Sequence, residues 1–174
     1  MKIKLCLLPL IVVLACSGVK VLNVTPEAGF QLTNYKTFDF LKLEASGDTS
    51  ANFSKNADLL KQEIAARLQS RGLVQSASAP DLLINIGIIV DEKVQTRETD
   101  LWEAPRYMGQ RNYSWKREEV EVGRYKLGTI TVHLVDAASN KLMWKGAVEG
   151  VVPSREEKIP STIQEGVDKL FDKL

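Results

Sequence analysis

Residues 81–91 read DLLINIGIIVD, and this stretch decides the fold. Every even-numbered position from 82 to 90 holds leucine, isoleucine or valine, whereas the odd-numbered positions include Asn85 and Gly87. Successive side chains of a β-strand point to opposite faces of its sheet. The alternation therefore predicts a long strand, beginning near Asp81, that buries one of its two faces.

Two more alternating runs follow downstream. A run from about Val120 to Asp136 has threonines and His133 at odd-numbered positions, and its even-numbered aliphatic residues are Val120, Val122, Ile130, Val132 and Leu134. The apolar positions of a third run, which follows a turn at residues 136–141, are Leu142, Trp144, Val148 and Val152. Long runs joined by short connections predict an antiparallel meander with one face buried.

Upstream of residue 81 the strand signals are shorter. Residues 35–41 (YKTFDFL) are rich in aromatic and β-branched side chains and predict a strand. Residues 19–24 alternate too, and form either a first strand or a tether. Residues 23–29 predict a turn, and the small, polar residues 45–52 predict a loop.

Two amphipathic helices complete the chain. The first is predicted from Ser54 to Arg71, and Gly72 suits a left-handed carboxy-terminal cap. The second runs from about Pro160 to the end, with capping boxes offered by Ser161 and Gln164 or by Thr162 and Glu165. The apolar stripes are Ala57, Leu60, Ile64 and Leu68 in the first helix, and Ile163, Val167, Leu170 and Leu174 in the second.

Each helix and the sheet has one apolar face to bury. The economical arrangement is an α+β two-layer sandwich, with a mainly antiparallel sheet and both helices on one face, in the order β-β-α-β-β-β-α. The 174-residue length, with 44% hydrophobic and 26% charged residues, fits a single domain with its own core. We place that domain at residues 19–174.

The amino terminus differs in kind from the rest. Residues 1–4 carry two lysines, and the apolar residues 5–15 are too few to cross about 30 Å of hydrocarbon. Residues 13–16, Val-Leu-Ala-Cys, resemble the lipobox of bacterial lipoproteins, in which a small residue precedes a cysteine that receives diacylglycerol. We predict a signal peptide at residues 1–15, lipid attachment at Cys16, and a tether at residues 16–18.

Two alternatives for this segment stay open. Residues 13–15 also fit ordinary signal peptidase, which would leave a secreted protein without a lipid, and Leu14 is bulkier than the residue usual in a lipobox. The other alternative is an apolar buried first strand in which Cys16 has no special role.

Processing at Cys16 changes the chemistry of the mature chain. Removal of Lys2 and Lys4 takes the formal net charge from +1 to −1. Cys6 leaves with the signal and Cys16 becomes a thioether, so no thiol remains for a disulfide, a nucleophile or a zinc site. Two or three palmitate-type acyl chains anchor a protein stably, and Ser17, in place of a retention aspartate, favours the outer membrane.

The sequence offers little catalytic chemistry. The single histidine, His133, is expected to be a half-exposed sheet residue rather than a ligand or a base. Asp81 and Asp136 lie at strand ends, where carboxylates accept backbone N–H groups in turns. Nucleophile-elbow, phosphate-loop, dinucleotide and metal-helix motifs do not occur in the sequence. We predict no enzyme activity, no cofactor and no metal.

One segment between the first two long strands is unusual in composition. Residues 104–117 contain arginines and aromatic residues and no acidic residue. Rings supply contact area and guanidinium groups pair with anions, so this loop is a candidate partner-binding surface. The candidate residues are Trp102, which stands at the start of this loop, and Tyr107, Arg111, Tyr113 and Trp115 within it. The alternative is a hairpin tip whose rings pack on the strands below. Flanking acidic residues and export make nucleic acid a poor partner.

Several stretches together resemble the domain-of-unknown-function family number 4136. They are Asn34–Phe38, Ala79–Ile84, Leu127–Ile130, Leu134–Ala137 and Leu142–Gly146. Members are typically small envelope lipoproteins, so the resemblance implies the fold and the location predicted above. It brings no catalytic residue.

Two functional hypotheses follow. The first is a non-catalytic binding or assembly module of the cell envelope, with the membrane and another envelope protein or a glycan as partners. The second is a hydrolase or transferase acting on cell-wall or surface polymers. An enzyme of that kind should show a deep cleft with two or more inward-facing carboxylates, or a carboxylate beside His133.

Overall fold

The computed structural model describes residues 18–47, 52–99 and 118–174. Within these ranges one six-stranded sheet has the strand order β1-β6-β5-β4-β2-β3. The elements are β1 Val19–Pro26, β2 Thr37–Gly47, α1 Phe53–Ser70, β3 Val74–Gln75, β4 Leu82–Glu98, β5 Glu119–Asp136, β6 Lys141–Val151 and α2 Ile159–Phe171, with short 3-10 turns at Leu32–Asn34 and Glu156–Lys158.

The sheet is antiparallel through β4, β5, β6 and β1, and parallel where β2 pairs with β4 and β3. Parallel strands need a crossover, and α1 supplies it between β2 and β4. The predicted α+β class and mainly antiparallel sheet are confirmed, with the two-residue strand β3 added. Residues 19–24, for which a strand and a tether were both open, form a strand, and β2 extends to Gly47 where a loop was expected to begin.

Both helices pack on the same face of the sheet. The even-numbered residues Leu82, Ile84 and Ile86 of β4 are at most 2% exposed and share one cluster with residues of both helices. Arg67 of α1 forms an ion pair with Asp168 of α2 across the outside of the layer. The largest buried side chains of the cluster are Trp144, Phe38 and Phe171. Neither described helix is long and apolar enough to cross a membrane.

The face predicted for β6 is wrong at one position. Leu134 pairs with Trp144, whereas the next residue, Val135, pairs with Leu142, so Met143 is an extra residue in β6. Such a bulge breaks the two-residue alternation of side chains. Leu142 is consequently 42% exposed instead of sharing the buried face with Trp144.

The helix ends differ in how well the sequence predicts them. Gly72 follows α1 with φ +93°, the left-handed conformation expected of it. The capping boxes predicted for α2 are wrong, because the helix begins at Ile159, ahead of both candidate caps. The hydroxyls of Ser161 and Thr162 instead donate to the carbonyl oxygen of Lys158, at 2.9 and 3.0 Å.

Candidate functional site

The hairpin of β4 and β5 extends beyond the helices that cover its apolar face. These strands have 17 and 18 residues, whereas β6 has 11 and ends at Val151. Side chains on the apolar face of β4 become more exposed toward the end of the strand. Ile86 is 2% exposed, Val90 is half-buried and Val94 is 51% exposed. The apolar face therefore continues past the amino-terminal ends of both helices.

A cleft of about 1000 Å³ lies over this uncovered part of the sheet. Its volume is at the upper end of the range of small-molecule sites, about 300–1000 Å³. The amino-terminal turns of α1 and α2 and the chain that follows β6 form its walls. Apolar residues lining it are Ile88, Val90 and Ile130 on the floor, Phe53, Val152, Ile159 and Ile163 on the walls, and Val19 at the start of β1.

Two glycines keep the cleft narrow at its base. A Cβ at Gly128 would lie 3.1 Å from Cγ2 of Val152, and one at Gly150 would lie 3.2 Å from Cγ2 of Val19. These separations are tighter than ordinary van der Waals contact, so a side chain would force the neighbours outward. Glycine at both positions lets the first residue of β1 and the chain after β6 approach the sheet closely.

Charged residues stand on the rim of the cleft, and three of them, Arg124, Glu92 and Glu156, have polar partners there. Nη1 of Arg124 lies 3.5 Å from Oε1 of Glu92, and both side chains are more than half exposed. Nδ2 of Asn52 donates to Oε1 of Glu156 at 2.7 Å, joining the start of α1 to the turn before α2. The charged residues that line the cleft are Arg124, Lys126, Arg155 and Lys158, against Glu92, Glu149 and Glu156. Since these charges nearly balance, apolar shape distinguishes the site more than charge does.

His133 lies on the face of the sheet opposite the helices and the cleft. It sits between Asn85 of β4 and Lys145 of β6. Burial, and then the nearby charge of Lys145, lower the pKa of His133 below its ordinary value. Within the described ranges, no group of three or more His, Cys, Asp or Glu could hold a metal ion. His133 is a half-buried sheet residue, as its parity predicts.

Asp136 acts in a turn, as predicted, whereas Asp81 accepts backbone N–H groups from the start of β2, which is distant in the sequence. Oδ2 of Asp81 accepts hydrogen bonds from the backbone N–H groups of Lys36 and Thr37, at 2.8 and 3.0 Å. Oδ1 of Asp136 accepts from the backbone N–H and the hydroxyl of Ser139, at 2.7 and 2.6 Å. These hydrogen bonds lower the pKa of both carboxyl groups, and neither residue lines the cleft.

The lowered pKa of Asp81 predicts how acid affects stability. Because its folded-state pKa lies below the ordinary 3.8, the stabilisation is complete above that value and is lost as the pH falls through it toward the folded-state pKa. We expect Asp81→Asn to lose less stability than the wild type between pH 7 and pH 3 in urea denaturation. Asp58→Asn, at an exposed position of α1, should retain the wild-type acid dependence. An unchanged acid dependence in Asp81→Asn would contradict the assignment.

The other sequence-predicted sites lie outside the described residues. These are Cys16 with the signal peptide before it, and the loop residues Trp102, Tyr107, Arg111, Tyr113 and Trp115. The hairpin that carries the loop is described up to Thr99 and Glu118. The backbone N–H of Thr99 donates to the carbonyl oxygen of Glu118, with 2.9 Å between nitrogen and oxygen.

The cleft itself was missed from the sequence. Alternation showed which face of β4 and β5 is apolar, but it did not show where the helices stop covering that face. The available signal was length, since an 18-residue helix rises about 27 Å and a 17-residue strand extends about 56 Å. That mismatch predicts uncovered apolar sheet.

One solved structure shares the general architecture at low sequence identity. A PDZ domain protein from Parabacteroides distasonis matches with a TM-score of 0.50 and 15% identity over 88% of this chain and 36% of that chain. This chain thus spans about a third of that protein's length. At this identity the likeness shows the fold alone.

Two further structures match less closely. The PelC dodecamer from Paraburkholderia phytofirmans has a TM-score of 0.45 and 13% identity over 87% of this chain and 97% of that chain. A candidate lipoprotein from Caulobacter crescentus has a TM-score of 0.26 and 12% identity over 77% and 80% of the respective chains. No curated protein sequence is significantly similar to this chain.

A family model matches nearly the whole described domain. The model of a domain of unknown function, DUF4136, covers residues 22–174, from within β1 to the last residue. The predicted resemblance is thereby confirmed over both helices and the whole sheet except the first residues of β1. The chain belongs to the domain-of-unknown-function family DUF4136.

Proposed function

We propose that this chain is a lipid-anchored protein of the bacterial cell envelope, held at the outer membrane through Cys16, and that it is a non-catalytic binding or assembly module. The observation that carries the proposal is the cleft, which is apolar, of ligand size and located at the amino-terminal end of β1. A binding module needs such a surface, and a lipid anchor places it at the membrane.

The position of the first strand supports the anchor. Val19 opens β1 only three residues after Cys16. Three extended residues span at most about 11 Å. A lipid on Cys16 would therefore hold the edge of the sheet, and the cleft beside it, close to the membrane surface.

The rim of the cleft supports binding over catalysis. Glu92 and Glu156 are exposed, and they bind Arg124 and Asn52. A general acid needs an environment that retains its proton, which burial or a close like charge provides. Neither Glu92 nor Glu156 has the burial that such a role requires, and Glu149, the third carboxylate of the lining, is only half-buried.

The partner of the module is another envelope protein or a glycan, contacted by the arginine and aromatic residues between β4 and β5. Eight residues of β4, from Asp91 to Glu98, and the nine residues of β5 that pair with them project beyond the floor of the cleft, a distance of about 26 Å. A projecting hairpin presents its end away from the helical layer, where it is accessible to a large partner.

The test of partner binding uses the loop itself. Replacing Tyr113 and Trp115 with alanine should remove a protein or glycan cross-linked in intact cells and leave the melting temperature nearly unchanged, because rings in a binding surface do not stabilise the fold. Leu41→Ala, at a 60% exposed position of β2, should retain the cross-link.

Two results would contradict this proposal. If the double alanine variant melts several degrees lower, the rings pack on the domain instead of binding a partner. If the purified protein hydrolyses a cell-wall or surface polymer, and Glu92→Gln with Glu156→Gln abolishes that turnover while the protein folds and cross-links normally, the module is catalytic.

A further inference from the structure

We infer that the cleft takes one of the acyl chains carried by Cys16 of the same molecule. The inference rests on the proposed lipid anchor and adds the occupant of the cleft to it. The occupant is intramolecular, so the cleft would hold a chain that is already attached to the protein.

The direction of β1 leads the amino terminus to the cleft. Val19 pairs with Gly150 near the end of β6, and the carbonyl oxygen of Gly18 lies 3.7 Å from the position of a Cβ on Gly150. β1 is antiparallel to β6, so the chain before Val19 leaves the sheet at the end where the cleft opens. The ammonium group of Lys169 donates to the carbonyl oxygen of Val19 at 2.9 Å and holds this exit against α2.

The short tether makes occupancy efficient. Val19 is 8% exposed and contributes directly to the cleft, and Cys16 lies at most about 11 Å from it. A ligand on a tether of this length meets its site at an effective concentration in the millimolar range. A free lipid would need to reach the same concentration at the site to compete.

The chemistry of the cleft fits an uncharged acyl chain. Ile88, Val90 and Ile130 form an apolar floor that is only half-buried in the described structure. An acyl chain inside the bilayer is already out of water, so the gain on entering the cleft comes from covering these side chains. A thioether-linked glyceride carries no charge, which suits a rim whose charges nearly balance. The remaining acyl chains stay available for the membrane.

Photo-cross-linking of the acylated protein tests the inference. Cells expressing the full chain are fed a palmitate analogue with a diazirine at its methyl end, and the purified protein is irradiated in detergent and digested. We expect mass spectrometry to find the Cys16 peptide joined through its acyl chain to a peptide containing Val90 or Ile163. A cleft peptide carrying a whole phospholipid, or no adduct in the cleft, would overturn the inference. An unmodified Cys16 would instead overturn the proposed anchor.

Matched substitutions locate the acyl chain on one face of β4. Val90→Trp fills the floor of the cleft and should reduce the intramolecular cross-link at least tenfold. Ile89→Trp changes the neighbouring residue, which is 46% exposed on the opposite face, and should leave the yield unchanged. Equal yields from these two variants would place the acyl chain elsewhere.

A second measurement remains decisive if Val90→Trp fails to fold. The acylated mature chain has no other free thiol, so Val90→Cys introduces a unique reactive group. Its reaction with an uncharged maleimide should be at least tenfold slower in the acylated protein than in the same variant carrying Cys6→Ser and Cys16→Ser. Ile89→Cys should react at the same rate in both. Equal rates at position 90 would overturn the inference.

Discussion

When residues 1–15 are replaced by a signal that ordinary signal peptidase removes, Cys16→Ser is expected to move the protein entirely from the membrane fraction to the soluble fraction. The substitution removes the thiol that receives diacylglycerol, and with it every acyl chain of the mature protein. Two or three chains hold a protein stably, whereas none leaves only weak surface contacts.

A cysteine elsewhere in the signal provides the control. Cys6→Ser changes the same residue type within the apolar region, and the membrane association should be retained because Cys6 leaves with the signal peptide. Fractionation after an alkaline carbonate wash separates anchored from adsorbed protein. Retention of the Cys16→Ser protein in the washed membranes would show that something other than the predicted lipid holds it there.

Trp144→Ala is expected to lower the free energy of unfolding by about 3–5 kcal/mol, measured by urea denaturation. Trp144 is 1% exposed in β6, and its ring centroid lies 6.0 Å from that of Phe171 in α2. Removing the ring leaves a cavity between sheet and helix. The Nε1 atom of Trp144 has no hydrogen-bond partner in the described structure, so Trp144→Phe should cost much less. Equal losses in both variants would contradict a packing role.

Gly146 provides an independent check on the same contact. A Cβ there would clash with the ring of Trp144 at Cη2 and would lie 2.7 Å from Cδ1 of Leu170. Gly146→Ala should therefore cost about 1–3 kcal/mol in the wild type, and clearly less in the Trp144→Ala background. Additive losses in the two backgrounds would show that the ring does not occupy this space.

Local patterns predicted the elements of this fold well because each pattern has a direct physical cause. The alternation of residues 82–90 reflects one buried face of β4, and the stripe of Ala57, Leu60, Ile64 and Leu68 reflects the buried side of α1. Gly72 ends that helix in the left-handed conformation that glycine adopts freely. Asp136 follows the same logic, because its short carboxylate side chain accepts the N–H group of Ser139 within the turn.

Features that depend on distant contacts were not predictable in the same way. The parallel pairing of β2 with β4 depends on the path of α1 over the sheet, and the bulge at Met143 depends on how β6 meets β5. The cleft depends on where both helices end relative to a hairpin that outruns them. The spacing of apolar residues within one segment does not show the parallel pairing, the bulge or the cleft. The lengths of α1 and β4, taken together, indicate only that part of the sheet is uncovered.

The mass of the amino-terminal peptide of the mature protein tests the central claim most directly. Our account predicts that residues 1–15 are absent and that Cys16 begins the chain, carrying diacylglycerol on its sulfur and a further acyl chain on its nitrogen. An amino-terminal peptide that begins at Cys16 without lipid, or that retains residues of the apolar segment, would contradict the account.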